Sequence, residues 1–457
     1  METNHIMVSL YIIFIFLLSF LSETNSAIVK NLPGFHGDFP FTLETGYVGV
    51  GAENEVQVFY YFVESQRDPL HDPLLLYLTG GPGTTGLYPL LFQIGPLSAN
   101  IDNSSFEKLA LELNPNSWAK MANIILVDLP VGTGFSYATT YEASKSGDSV
   151  TAQHAYKFLV KWLEEHPTFL NNPLYIAGIS YMGILVPVVT LEVYKGNERG
   201  DQPKLNIKGC LIVSPLTDKF GDYNSRFEFS HRLTLISDDI YESARETCRG
   251  NYVEKDLKNP KCLNSLQRAD ECTSRINEGN ILYPYCYEVD PDPTCLESSK
   301  IYLQYFGNDK EVQKSLHIRE GTVEMFEMTN QTIHYDLNKK DTECYSYDIF
   351  SAISYHQLLA SRNCQVLIVS GDHDFTFPFV GAKQWITSLN LPIESQWNPW
   401  FVNKQVGGYR TKYAKNGYSL THATVLGAGH SIALYKPEEL WVFVDGWLAN
   451  HSYLSDS

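Results

Sequence analysis

Short apolar runs recur along the chain, each closed by a glycine-rich or charged loop, with helix-period stretches between them. Gly46 to Glu64 (GYVGVGAENEVQVFYYFVES) predicts two strands around a turn at Gly51–Asn54, a leading hairpin. Leu74–Leu78, Ile124–Leu129, Pro173–Ala177, Ile207–Ser214, Gln365–Ser370 and Thr421–Leu426 are compact enough to predict buried strands. Ser149–His166, Ile184–Tyr194 and Glu438–Ala449 carry helical periodicity. Strand and helix alternate, so the pattern predicts an α/β class with a mostly parallel central sheet and helices on both faces. From about Asp218 to Asp341 the pattern lapses into polar, cysteine-rich sequence with few β-branched runs. That stretch predicts an inserted cap over the strand ends, where ligand sites lie in open α/β sheets.

The chemistry gathers where the apolar runs stop. Between Asn172 and Val189 (NPLYIAGISYMGILVPVV) a buried strand turns into a helix through a corner bracketed by Gly178 and Gly183, with Ser180 on it. Such a corner lifts a hydroxyl off the sheet beside helix-start N–H groups that stabilise negative charge, although Met182 stands where a strict nucleophile elbow has glycine. Leu74–Leu78 runs into Thr79-Gly80-Gly81-Pro82-Gly83, a loop that bares backbone N–H groups; no Lys-Ser/Thr follows to make it a phosphate loop. Gly132 and Gly134, after the next strand, do not extend to a dinucleotide fingerprint. Two late strands end at Gly371-Asp372-His373-Asp374 and Gly427-Ala428-Gly429-His430.

Ser180, Asp374 and His430 thus follow the chain order nucleophile, acid, histidine of the α/β-hydrolase fold. Singly each has a bland reading, as a helix-capping serine, a turn former and a surface histidine, and Asp372 is an equal candidate acid by spacing. Jointly they predict acyl transfer: His430 takes the Ser180 proton, Asp374 fixes the imidazole tautomer, and the serine attacks an acyl carbonyl. Backbone N–H groups at Tyr181 and in the Gly80–Gly81 loop would hold the oxyanion. His373 is expected to line the site and His422, inside a strand, to be packed.

Composition narrows the context. The 457 residues are 44% hydrophobic and 19% charged, which is globular, and aromatics are plentiful. A net charge of −18 with no Lys/Arg cluster argues against a nucleic-acid or anionic-membrane partner. Met7–Leu21 (MVSLYIIFIFLLSFL), followed by polar and then small residues near Ala27, predicts a signal peptide over 1–27, although no Lys or Arg precedes it. No second long apolar segment follows, so a mature chain without a membrane span is expected. The 8 cysteines fit an oxidising compartment, and Cys248, Cys262, Cys272, Cys286 and Cys295 are expected to be disulfide partners. No C-x-x-C pair points to a metal site, and nothing calls for a cofactor. Asn103, Asn330 and Asn450 begin glycosylation sequons.

Further motifs carry a likeness: GGPG at Gly80–Gly83, NPNSW at Asn114–Trp118, NIILVDLPVGTGFSY at Asn123–Tyr137, GISYMG around Ser180, SGDHD at Ser370–Asp374, and GAGHS at Gly427–Ser431 with Pro437. The chain resembles the plant serine carboxypeptidase-like family over everything after the leader. The resemblance implies Asp374 as the triad acid, Gly81 and Tyr181 as oxyanion donors, and a secretory location, vacuolar or extracellular. One branch of this family removes C-terminal residues from peptides; the other moves acyl groups from 1-O-β-glucose esters to acceptors such as alcohols. Peptidases of the family carry Trp, Asn and Glu where this chain has Tyr77, Thr79 and Ile179, and hold the substrate carboxylate with them and the glycine loop at Gly80. Ile179 has no hydrogen bond to offer, which would cost a buried carboxylate about 1–3 kcal/mol. The resemblance therefore implies the acyltransferase branch, with an acyl-glucose donor and a small acceptor, although an acidic residue is usual at position 179 even there; a serine carboxypeptidase or esterase and a catalytically silent binding homologue are the alternatives. The family also has Cys where this chain has Thr84, with a partner near Met328. Their joint loss reads as one deleted disulfide and a more mobile site loop.

Overall fold

The computed structural model describes residues 26–287, 295–339 and 341–449. The apolar leader and the Asn450 sequon lie outside these residues; Ser26 and Ala27, where the leader is expected to end, pair with Gly46 and Thr45. The main sheet is built from β1 (Ser26–Val29), β2 (Leu43–Val50), β3 (Val56–Val63), β4 (Leu74–Leu78), β5 (Asn123–Val127), β6 (Leu174–Ile179), β7 (Ile207–Val213), β8 (Gln365–Gly371), β9 (Ile393–Val402), β10 (Gln405–Lys415) and β11 (Tyr418–Val425). Their order is β1-β2-β3-β5-β4-β6-β7-β8-β11-β10-β9, and the short strand Tyr137–Ala138 pairs off this path with β3. The stretch from β5 through β4, β6, β7 and β8 to β11 is parallel throughout. Antiparallel strands flank it on both sides.

The parallel strands read LLLYL, NIILV, LYIAGI, IKGCLIV and QVLIVSG and are buried almost throughout, as strands covered on both faces must be. Their period of two splits the core in two. Leu74, Leu76 and Leu78 face the helices Asp148–Glu165 and Met182–Arg199, against Phe158, Trp162, Leu185 and Val189. Leu75 and Tyr77 face the other layer, with Trp118, Leu90, Leu303 and Phe443 from helices on the opposite side. In the helix Asp148–Glu165 the buried positions Ala152, Ala155, Phe158, Leu159, Trp162 and Leu163 recur every three or four residues, which aligns them on one face. Each large side chain so buried contributes about 1.5–3 kcal/mol.

The hairpin β9–β10 has no counterpart in the pattern reading. Its outer strand, IESQWNPWFV, is mostly exposed or half-buried and contains Pro399, so apolar periodicity does not mark it. What pins it is Trp400, whose indole N–H donates to the Thr424 carbonyl at 3.0 Å.

Residues 218–341 contain the helices Lys219–Arg232, Asp238–Cys248, Pro260–Thr273, Leu296–Asn308 and Lys310–Ser315. Cys248 bonds to Cys262 and Cys286 to Cys295. Cys272 departs from expectation: it is a free, exposed thiol, whereas Cys262 on the same helix faces a small core of Ile240, Ala244 and Leu266. Among the described residues no helix is long and apolar enough to cross a membrane.

Candidate active site

The strands β4, β6, β8 and β11 run parallel, so the loops that leave them emerge at one edge of the sheet. Those loops carry Gly80–Gly83, Ser180, Asp374 and His430 in turn. Ser180 follows β6 directly with φ of +64°, a left-handed conformation that costs a non-glycine residue about 1–3 kcal/mol. The corner is held from both sides. Ser180 N–H donates to the Val213 carbonyl at 3.0 Å, and its own carbonyl accepts from Leu216 N–H and Gly183 N–H, each at 2.9 Å. The helix Met182–Arg199 starts immediately after, with Tyr181 at its N-cap, so the positive end of its dipole lies beside the hydroxyl.

His430 Nδ1 lies 2.9 Å from Asp374 Oδ2, and the other oxygen of this fully buried carboxylate accepts from Phe377 N–H at 3.1 Å. The two aspartates that spacing left equal are thereby distinguished. Asp372 meets His373 Nδ1 at 2.6 Å and Gly427 N–H at 2.7 Å instead, bracing the loop that carries His430. His430 also meets the Phe377 ring edge-on at 5.5 Å, and its N–H donates to the Gly279 carbonyl at 2.6 Å.

Ser180, Tyr181 and His430 line one cavity of about 620 Å³ together with Thr79, Gly80, Gly81, Thr84 and Ile179. Gly80 is required by contact: a Cβ there would sit 2.8 Å from Ser180 Cβ. Gly81 is required by conformation, with φ of +119°.

Two sequence-derived site residues lie elsewhere. Tyr77 is not in the cavity wall, because strand alternation turns its ring to the opposite core layer, edge-on against Trp118 at 6.0 Å. His373 is not in the wall either; its ring is taken by Asp372 and its carbonyl by Ile281 N–H. His422 is packed, 2% exposed.

Hydrogen bonds stand where the family disulfide is missing. The residue opposite Thr84 is Thr329, in an antiparallel bridge with the two hydroxyl oxygens 2.9 Å apart, while Met328 is buried in the core. Thr85 N–H donates to the Met328 carbonyl, Asn330 N–H to Gly83 and Tyr335 N–H to Gly81, so hydrogen bonds tether the loop. Asp128, buried behind it, accepts from Thr85 Oγ1, Gly86 N–H and Phe135 N–H; burial pushes its pKa up to about 6.

Other wall residues escaped the sequence reading. Tyr88, Gln93 and Ser431 face the cavity, and Gln93 is visible in the sequence only as a polar break after the apolar LYPLLF. Thr79 Oγ1 and Gln93 Oε1 are buried with no hydrogen-bond partner in the protein. From residues 218–341, Tyr223, Arg226, Glu278 and Lys300 also line the cavity, and the Glu278 carbonyl accepts from Phe375 and Thr376 N–H.

The profile of the serine carboxypeptidase family matches residues 33–450. The Arabidopsis thaliana serine carboxypeptidase-like proteins 3 and 7 are each 40% identical, over 93% of both chains for the first and over 97% of this chain and 98% of its relative for the second. The chain belongs to the serine carboxypeptidase-like family. The fold of this serine carboxypeptidase-like protein is also that of Kex1, a prohormone-processing carboxypeptidase from Saccharomyces cerevisiae: the TM-score is 0.72 at 18% identity, covering 94% of this chain and 96% of that one. Both are α/β-hydrolase folds.

Proposed function

We propose that this protein moves an acyl group from a 1-O-β-glucose ester to an alcohol acceptor through an acyl-enzyme on Ser180. Ser180 Oγ attacks the ester carbonyl as His430 takes its proton, and Asp374 stabilises the imidazolium. The tetrahedral oxyanion is held by N–H groups of Gly81 and Tyr181. Collapse expels the glucose oxygen, which receives the proton from His430. The acceptor hydroxyl then gives its proton to His430, attacks the acyl carbon and regenerates Ser180.

One observation carries the choice of donor. The wall beside Ser180 presents Thr79 Oγ1 and Gln93 Oε1, both buried and without protein partners, next to the apolar Ile179. A buried polar atom without a partner costs about 1–3 kcal/mol, which a ligand rich in hydroxyl groups relieves. Thr79, Gln93 and Ile179 do not reproduce the Asn and Glu with which family peptidases hold a carboxylate, and of the cations that line the cavity, Arg226 and Lys300, Arg226 is engaged by the Thr376 carbonyl and Glu278. Transfer over hydrolysis requires an acceptor held in place of water, and Tyr223, Arg226 and Tyr285 line the cavity where such an acceptor would bind.

Family membership favours a second reading, a carboxypeptidase. The purified protein is therefore offered an acyl-glucose with mixed alcohol acceptors and, separately, a blocked dipeptide. New esters with little amino-acid release are expected. Free acid alone with every acceptor tried would end the transferase reading, and efficient dipeptide cleavage would establish the second.

A further inference from the structure

Behind the corner that carries Ser180 lies a buried carboxylate that the mechanism does not use. Asp148 is fully buried at the first turn of the helix Asp148–Glu165. Its Oδ1 accepts from the Tyr181 hydroxyl and from the Tyr345 hydroxyl, each at 2.8 Å, and its Oδ2 accepts from Ile349 N–H at 3.1 Å. Such desolvation is expensive, and a carboxylate that bears it is retained where it secures a geometry.

What Asp148 secures is the residue after Ser180. Tyr181 is 3% exposed; its side chain runs back from the N-cap of the helix Met182–Arg199 to Asp148, and its ring packs on Tyr335 at 5.1 Å. Tyr335 in turn donates its N–H to the Gly81 carbonyl at 3.1 Å. The Asp148–Tyr181 bond thus anchors one proposed oxyanion donor, and the Tyr335 contact ties it to the other. It does so next to the left-handed φ of Ser180, where local strain favours relaxation of the corner unless the flanks resist it.

We infer that Asp148 is a positioning residue: through the Tyr181 hydroxyl it sets the orientation of the Tyr181 peptide and so the alignment of the oxyanion donors with Ser180. The inference rests on the acyl-enzyme reading of Ser180 but on neither choice of donor nor acceptor. Since the oxyanion interaction strengthens as the tetrahedral centre forms, its misalignment lowers kcat and leaves KM nearly as it was. Small displacements matter there, as a shift of about 1 Å can cost 10²-fold.

Tyr345 supplies the internal control. It donates to the same Asp148 oxygen at the same distance but sits on the separate strand Tyr345–Ser346, paired with Ser146–Gly147, and its ring reaches that of Tyr181 through Tyr347. The experiment compares wild type, Tyr181→Phe, Tyr345→Phe and Asp148→Asn for melting temperature, for ester-turnover kcat and KM, and for the rate at which a fluorophosphonate labels Ser180. Tyr181→Phe is expected to lower kcat and the labelling rate at least about tenfold with KM within about twofold, and Asp148→Asn to follow it. Tyr345→Phe is expected to match Tyr181→Phe in melting temperature and remain within about threefold of wild type in kcat. Equal kinetic losses in the two tyrosine variants, or none in Tyr181→Phe, would overturn the inference. If wild type itself failed to label, the acyl-enzyme reading would fall first and the inference with it.

Discussion

At the scale of single residues, the site separates into groups identified by chemistry and groups identified by contact. Ser180 and His430 stand out in the sequence because glycine-bracketed loops after strands are where reacting side chains belong. Asp374 could not be chosen over Asp372 from spacing; the structure pairs Asp374 with His430 and Asp372 with His373. Asp374→Asn is therefore expected to lower kcat about 10⁴-fold by allowing the wrong imidazole tautomer. Asp372→Asn, which loosens the contacts to His373 and Gly427 that brace the His430 loop, is expected to cost at most about 10²-fold, as misplacement of a supporting loop does. Steady-state kinetics on any turned-over ester check both; comparable losses would reject the assignment. Tyr77 carries the opposite lesson. A position that motif alignment puts in the substrate site is buried away from the cavity, because alternate residues of β4 face opposite layers.

At the scale of elements, the loop Gly80–Thr84 owes its position to a strap contributed by residues 328–335 rather than to a covalent link. Thr84 and Thr329 are 8% and 6% exposed, so each hydroxyl depends on the other. Thr84→Val is expected to destabilise the protein by about 1–3 kcal/mol by leaving the Thr329 hydroxyl unpaired, measured by equilibrium unfolding. Residues opposite one another in an antiparallel bridge have Cα atoms roughly 4.5–5.5 Å apart, within the disulfide range. The double variant Thr84→Cys, Thr329→Cys is accordingly expected to form a bond that raises the melting temperature, beyond any change reductant makes to wild type. Free thiols after air oxidation would contradict the geometry. Residues 278 and 279 act elsewhere at the cavity: the carbonyls of Glu278 and Gly279 hold the loops of Asp374 and His430. Local pattern cannot reveal such a clamp, since it consists of backbone groups from a polar stretch with no periodicity.

At the scale of the whole molecule, burial sets opposing responses to pH. Desolvation pushes Asp128 and Asp148 up to about 6 and Asp222 up to about 7. Their folded values exceed the unfolded value near 3.9, so the stability they contribute is complete below about pH 4 and is lost as pH rises through about 6 to 7. Desolvation pulls His356 down to about 3 and His422 down to about 4. Those folded values lie below the unfolded value near 6.5, so their contribution is complete above about pH 6.5 and is lost as pH falls towards 3. Burial also lowers His154, so three acids and three histidines oppose one another over most of the range between about pH 4 and 6. Thermal scans over pH 3–8 are expected to show a loss of melting temperature between about pH 6.5 and 7, where of these groups only Asp222 still holds a proton that its unfolded form has lost. Asp222→Asn is expected to flatten the loss near pH 7. A melting temperature rising steadily to pH 8 would show that these buried groups do not govern the response.

Period and punctuation along the chain determined the parallel core strands, the long helices and the loops that carry Ser180 and His430, because each reflects burial of neighbouring residues. Those signals are local, and so they survive without a structure. Only the tertiary arrangement decided that Thr329 stands opposite Thr84, that Cys272 stays unpaired, and that Asp148 reaches Tyr181 across 33 positions, and it gave by contact the choice between Asp372 and Asp374 that spacing left open and only the family motif implied. Each of these is a contact between segments distant in sequence. Its energy depends on distances that composition and periodicity do not encode.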